Sequence, residues 1–309
     1  MITVSKNQTD GENATCRLGP VSLRFRSILV ATDCTPASEK AVRLGARLAK
    51  EFHARFCLVQ AISPEHYAVD MRGPFPELEL QSLQLARENL QSYVQHFREL
   101  RTVKHREIVE FGSPAEIIQS NAESNGIDLL VLGSRGRQGL AKLTLGSVAE
   151  WAINRLKYPV LVAGPSCEND LLPIRSIVVA TDLSARAARP AQFASSMAQD
   201  YNARLTAIHI PPKDGTPKEQ TRTEQRINKK LHELMPSGCG DRCSLKFEVG
   251  SGDIATAILQ SARANRANLV VLGARHKAPL ADHMPRTKLS TIIRESRCPV
   301  LLVPTGCCS

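Results

Sequence analysis

The chain has 309 residues, 42% of them hydrophobic and 23% charged, with no run of 18 uncharged apolar residues. Such a length exceeds one small module, and the composition excludes both a disordered chain and a bundle of membrane-spanning helices. The net charge is +10, carried as 20 basic against 17 acidic residues up to position 165 and 20 against 13 beyond it. A nucleic-acid reader would set its Lys and Arg beside stacking rings, whereas the 13 aromatic residues here are scattered; the excess reads as a solvated surface.

Residues 1–26 are polar, show no apolar segment ahead of a small-residue cleavage site, and read as a flexible arm, which makes the cytoplasm the expected location. Ile28 to Ala31 is a short apolar run between polar residues, the pattern of a strand covered on both faces. Pro36 suits a first helical turn with Thr35 as N-cap, and Val42, Leu44, Ala46, Leu48 and Ala49 supply that helix's apolar positions. Arg55 to Ile62 predicts a second strand. Leu78 to Leu100 predicts a long amphipathic helix with Leu80, Leu83, Leu85, Leu90, Val94 and Phe97 as its apolar residues.

Val103 to Val109 alternates apolar and polar residues, as a partly exposed third strand does. Ser113 as N-cap and Pro114 at the first position open the next helix, with Ala115, Ile117, Ile118 and Ala122 on its apolar face. Asp128 to Leu132 is expected as a fourth strand, Ser147 to Leu156 as a helix and Val160 to Ala163 as a fifth strand.

The same order then returns. Ser27-Ile28-Leu29-Val30-Ala31-Thr32-Asp33 reappears as Ser176-Ile177-Val178-Val179-Ala180-Thr181-Asp182, an offset of 149. Asp128 to Arg135 reappears as Asn268 to Arg275 and Tyr158 to Val162 as Cys298 to Leu302, both at an offset of 140. A period this long marks a duplicated domain, since solenoid units run about 20 to 50 residues. Strands are expected near 176–180, 204–210, 243–249, 268–272 and 299–303. Strands separated by helices imply parallel pairing by right-handed crossovers, so the fold class is α/β, doubly wound, built twice in tandem. The expected division is an arm at 1–26, a first domain at 27–164, a linker at 165–175 containing Pro165 and Pro173, a second domain at 176–305 and a tail at 306–309.

Nine cysteines form an odd set without a secretion signal, so disulfides are not expected. Cys239 and Cys243 sit in a Gly-rich loop with no second pair at zinc-site spacing, which argues against a structural metal.

Ligands of an open α/β sheet gather outside the carboxyl ends of its strands. The loop after the first strand carries Ala31-Thr32-Asp33. The loop after the fourth carries Gly133-Ser134-Arg135-Gly136 and, nine residues on, Gly146-Ser147-Val148-Ala149 at a helix start. Glycines let backbone approach phosphate oxygens, successive N–H groups form an anion-binding concavity, and the helix adds its partial positive end. Ser147 offers a hydroxyl, and Asp33 can accept from a ribose hydroxyl. The sequence holds neither a GxxxxGK[ST] loop nor a GxGxxG turn. His53, His96 and His105 have no Ser or Cys at a catalytic spacing, and His209 reads as a sheet residue.

Gly-x2-Gly-x9-Gly-Ser between a Val-Leu-Gly strand and a Pro-Val strand resembles the nucleotide-binding signature of the universal stress protein family. Val30-Ala31-Thr32-Asp33 and the Gly112-Ser113-Pro114-Ala115 turn share the likeness, which runs through both copies. The resemblance implies five parallel strands per domain in a Rossmann-like, adenine nucleotide alpha hydrolase-like arrangement. It also implies pairing of the two domains through Val160 to Ala163 and Val300 to Val303, with a homodimer left open. By position, Ala31, Thr32 and Asp33 would hold adenine and ribose, with Ala61 lining the base pocket. Gly133, Arg135, Gly136, Gly146, Ser147, Val148 and Ala149 would line ribose and phosphates, the ligand being ATP with or without Mg²⁺.

The second copy keeps Asp182, Gly273 and Thr287 but has His276 and Arg286 at the second and third glycine positions, with Pro285 removing a neighbouring N–H. The expected function is therefore an ATP-binding stress-response regulator with nucleotide in the first domain and a degenerate second domain. No residue offers an evident general base for water attack on a γ-phosphate, so hydrolysis is expected to be slow at most. The alternative is a nucleotide-independent module whose basic second domain binds an acidic protein or nucleic acid; a third reading is an ATP-dependent transferase or hydrolase.

Overall fold

The computed structural model describes residues 25–63, 76–134, 145–155, 157–168, 172–212, 217–235, 240, 243–274 and 286–305. The first copy runs β1 (Ser27–Ala31), α1 (Pro36–Phe52), β2 (Arg55–Ile62), α2 (Pro76–Gln95), a 3-10 turn (Arg98–Thr102), β3 (His105–Phe111), α3 (Pro114–Ser124), β4 (Leu129–Gly133), α4 (Ser147–Arg155) and β5 (Val160–Ala163). The second runs β6 (Ser176–Thr181), a 3-10 turn (Ala185–Ala187), α5 (Ala188–Asp200), β7 (Arg204–His209), α6 (Pro217–Leu234), β8 (Leu245–Val249), α7 (Ile254–Ala264), β9 (Leu269–Ala274), α8 (Arg286–Glu295) and β10 (Val300–Pro304).

The strands form one ten-stranded sheet in the order β3-β2-β1-β4-β5-β10-β9-β6-β7-β8. Each copy contributes five parallel strands in the same order. The two sets join where β10 runs antiparallel to β5, with Leu301 opposite Leu161. Strands with both faces covered carry continuous apolar runs, and here each face feeds a core that crosses the join. Ile28, Val30, Leu58, Ile177, Val179 and Leu205 belong to one cluster; Leu29, Val59, Leu130, Val162, Val270 and Val300 belong to the other.

Local chemistry fixes the elements. Pro36 opens α1, whose Ala41, Val42, Ala46, Leu48 and Ala49 are buried, and His53 closes it in the left-handed conformation. Gly45 lies so close to β1 that a side chain there would collide with Val30. The Asp128 carboxylate accepts the N–H groups of Arg26 and Ser27 at 2.7 and 3.1 Å, and Asn268 repeats this for Arg175 and Ser176 at 2.8 and 3.1 Å. Each strand-one start is thereby pinned to the loop before strand four. Phe25 is buried ahead of β1, with its ring 5.4 Å from Phe52. Lys40 donates from Nζ to the carbonyls of Pro165 and Cys167 at 2.6 and 2.8 Å, which fastens the connection between the copies onto α1.

Several expectations need correction. The third strand is His105–Phe111 rather than 103–109, because Val103 closes the 3-10 turn on Leu100. The long helix ends at Gln95, ahead of that turn. Leu80 and Leu85 are exposed, so its buried face is carried by Ala86, Leu90 and Val94. Thr35 and Ser113 occupy the N-cap positions of α1 and α3, yet neither side chain makes a capping hydrogen bond. Leu156 lies outside the described residues. Among the described residues no helix is long and apolar enough to cross a membrane.

Candidate functional site

At the carboxyl edge of β2, β1 and β4 the chain brings together the ends of three adjacent strands and the first turns of two helices. Ala31 closes β1 and Ala61 lies near the end of β2, on the same face as Leu29, Val59 and Leu130. Ala31 pairs with Val59, and Ala61 stands one pleat further along β2, so two small side chains mark this end of the face where larger residues would fill the space. Thr32 continues the ladder, donating its N–H to Val59 at 2.9 Å. Asp33 then makes a tight turn, its Oδ1 accepting from Thr35 N–H at 3.1 Å and from Thr35 Oγ1 at 2.7 Å. This use of the Thr35 hydroxyl is why it does not cap the helix. Cys34, between them, has φ 58° and donates its N–H to Thr32 Oγ1 at 3.0 Å.

Gly133 ends β4 against the first turn of α1; a Cβ at this position would stand 2.8 Å from the Ala37 carbonyl oxygen. Past it, Ser134 donates its N–H to Ala163 and accepts from Gly146 N–H at 2.8 Å, so a backbone bond closes the loop at its neck. The Gly146 carbonyl accepts from Glu150 N–H, the first bond of α4. Ser147, Val148 and Ala149 thus present N–H groups with no intrahelical acceptor at the positive end of a helix dipole. Ser147 is exposed, Val148 is partly buried, and Ala149 turns its methyl into the core and offers backbone alone. Arg135 and Gly136 lie outside the described residues.

Three residues that the motif reading passed over support this edge. Ser38 and Gln60 are buried beneath the Asp33 turn. Ser38 Oγ lies 2.8 Å from Thr32 Oγ1 and 3.3 Å from Tyr93 Oη, and Cys34 Sγ donates to Gln60 Oε1 at 3.4 Å. Burial pushes the Tyr93 hydroxyl above its ordinary pKa, so it stays protonated and able to donate.

The second copy repeats the plan with different fillings. Asp182 makes the same turn, accepting from Ser184 N–H at 3.0 Å and Oγ at 2.7 Å, with Leu183 at φ 60°. Unlike Asp33 it is exposed. The residue equivalent to Ala61 is Ile210, and His209, at the position of Gln60, is tied through Nδ1 to the Thr181 carbonyl at 2.8 Å. The carbonyl equivalent to that of Ser134 belongs to Ala274, and it accepts from Thr305 N–H at 2.8 Å and Oγ1 at 3.1 Å. Lys288, where the first copy has Val148, forms an ion pair with Asp253 at 3.0 Å. His276 and Pro285 lie outside the described residues.

Five parallel strands in the order 3-2-1-4-5, with helix starts and a small-residue edge at their carboxyl ends, define a Rossmann-like α/β protein built in tandem. The model of the universal stress protein family matches residues 24–164 and again 173–304. The chain belongs to the universal stress protein family. It is 37% identical over 147 residues to universal stress protein MJ0531 of Methanocaldococcus jannaschii, covering 45% of this chain and 81% of that protein. A universal stress protein structure from Archaeoglobus fulgidus covers 91% of this chain and 98% of its own at a TM-score of 0.66 and 20% identity, a likeness of fold. A further universal stress protein has been solved in complex with cAMP; it is 19% identical, covers 43% of this chain and 98% of its own, and has a TM-score of 0.34.

Proposed function

We propose that the chain is a cytoplasmic, ATP-binding regulator of the stress response, with nucleotide held by the first copy and the second copy completing the assembly. Ala31 and Ala61 line the base, Asp33 accepts from a ribose hydroxyl, and Thr32 supports the turn between them. Gly133, Arg135, Gly136, Gly146, Ser147, Val148 and Ala149 line ribose and phosphates, where ATP brings its own Mg²⁺. Membership of a family with a structure solved in complex with cAMP supports an adenine nucleotide as the ligand class.

The observation that carries the asymmetry is the filling of two equivalent edges. In the first copy Gly146 N–H closes the loop on Ser134, whereas in the second the equivalent carbonyl is taken by Thr305 and Ile210 replaces Ala61. A branched side chain at the base position and an arginine in place of the closing glycine both work against a nucleotide there. The signal is occupancy itself, read by a protein partner.

Calorimetric titration of nucleotide-free protein with ATP and Mg²⁺ tests this, beside Gly146→Arg, which copies position 286 of the second repeat into the first. One site per chain, lost in the variant, is the expected result. An absence of binding would favour an interaction module instead, and two sites would remove the asymmetry.

A further inference from the structure

Among the described residues, a pair of hydroxyls on α1 and α2 buttresses the Asp33 turn from beneath, and the Asp182 turn has no matching pair. Thr35 is the hub: its N–H and hydroxyl hold Asp33 Oδ1, while its carbonyl oxygen accepts from Ser38 N–H at 3.0 Å and Ser38 Oγ at 2.9 Å and lies 3.4 Å from Tyr93 Oη. The protons can be counted. Ser38 gives its hydroxyl proton to Thr35, so Thr32 donates across the 2.8 Å contact to Ser38, and Thr32 itself accepts from Cys34 N–H. Tyr93 is left to donate to Ser38 Oγ or the Thr35 carbonyl, both on the same turn. Each of the hydroxyls of Thr32, Thr35, Ser38 and Tyr93 has a partner, the condition under which a buried polar network holds one geometry.

In the second copy Ala187 stands where the first has Ser38. The matched burial of Leu90 with Leu231, and of Val94 with Met235, sets Leu234 at the place of Tyr93. Among the described residues the Ser184 carbonyl accepts only from Ala187 N–H, at 2.9 Å. The same acidic turn is therefore built twice, and among the described residues only the first has the added Ser38 and Tyr93 hydroxyls beneath it, under the aspartate that is half-buried rather than exposed.

We propose that Tyr93 is a positioning residue that, through Ser38 and Thr35, orients the Asp33 carboxylate toward a ribose hydroxyl and so sets how strongly the site discriminates between ribose and deoxygenated sugars. This rests on the nucleotide reading above. The ring of Tyr93 packs edge-on against Phe97 at 4.9 Å and does not need the hydroxyl to stay in place, so Tyr93→Phe removes only the hydrogen bond.

The test compares ATP with 2′,3′-dideoxy-ATP by calorimetry on the wild type, Tyr93→Phe and Ser38→Ala. The wild type is expected to bind ATP at least about tenfold more tightly than the dideoxy compound, since a lost hydrogen bond to a charged group weakens binding by about that factor or more. Tyr93→Phe is expected to weaken ATP by about threefold to tenfold while leaving the dideoxy compound unchanged, so the ratio shrinks; Ser38→Ala should do the same. Equal weakening of both nucleotides, or no change in either, would overturn the positioning role while the nucleotide reading stands. A wild type that binds both equally removes the ribose contact and this proposal together, and one that binds neither removes the nucleotide reading as well.

Discussion

Gly133 stands against Ala37 with no room for a side chain: a Cβ at 133 would meet the Ala37 carbonyl oxygen at 2.8 Å and Ser38 Cα at 3.4 Å. The neighbour is helix backbone, which cannot swing aside as a flexible side chain would. Gly133→Ala must push α1 away from β4, at a cost of about 1–3 kcal/mol, and the shift would act on the turn that carries Asp33. Urea denaturation of the variant should show that loss, together with weaker ATP binding.

Leu301 faces Leu161 across the join, and both are buried in a core shared by the two copies. Leu301→Ala should lower stability by about 2–5 kcal/mol. Because the apolar clusters cross the join, the loss should appear in one common unfolding transition seen by calorimetry. Two separate transitions, only one of them shifted, would mean that the copies fold independently.

Tyr201 points its hydroxyl into the interior, where it has no hydrogen-bond partner among the described residues, while its ring lies edge-on to Phe52 at 6.0 Å. Burial, followed by the Glu51 and Asp200 carboxylates, raises its pKa and keeps it neutral. Tyr201→Phe retains the ring and removes an unsatisfied group, so stability should be unchanged or rise by up to about 1–3 kcal/mol. A clear loss in denaturant melts would show that the hydroxyl is bonded in solution.

Glu248, on the edge strand β8, is held below its ordinary pKa. Burial pushes it upward, but hydrogen bonds from Lys246, Ser261 and Asn265, together with the Lys246 charge, outweigh that. A carboxylate with a lowered folded pKa adds stability that is present above the unfolded value and disappears as pH falls through the folded one. The difference in stability between the wild type and Glu248→Gln should therefore be full near neutrality and shrink below about pH 4.5. Melts from pH 7 down to 3 would show it.

The repeat made most of this fold legible. Similar strand-and-loop segments at fixed offsets placed six strands, β1, β4, β5 and their counterparts β6, β9 and β10, and β2 falls at the expected residues because it is a short apolar run. β3 was displaced by two residues because alternation does not distinguish an edge strand from the turn that leads into it. Exposed Leu80 and Leu85 show the same limit: leucine content marks a helix but not which of its leucines meets the core. At the site, residues adjacent in a motif were visible, whereas Ser38, Gln60 and Tyr93 were not, since they meet Thr32, Cys34 and Thr35 of the turn around Asp33 from three elements without any shared spacing. Ile210 was within reach of sequence alone, because the offset of 149 that relates Asp33 to Asp182 also relates Ala61 to Ile210.

Of two equivalent aspartates, Asp33 alone is proposed to serve a nucleotide. Equilibrium dialysis with labelled ATP on the wild type, Asp33→Ala and Asp182→Ala tests it most directly. One ATP per chain is expected for the wild type and for Asp182→Ala, and a loss of binding of about tenfold or more, of the order of a hydrogen bond to a charged group, for Asp33→Ala. Equal losses in the two variants, or none in Asp33→Ala, would contradict it.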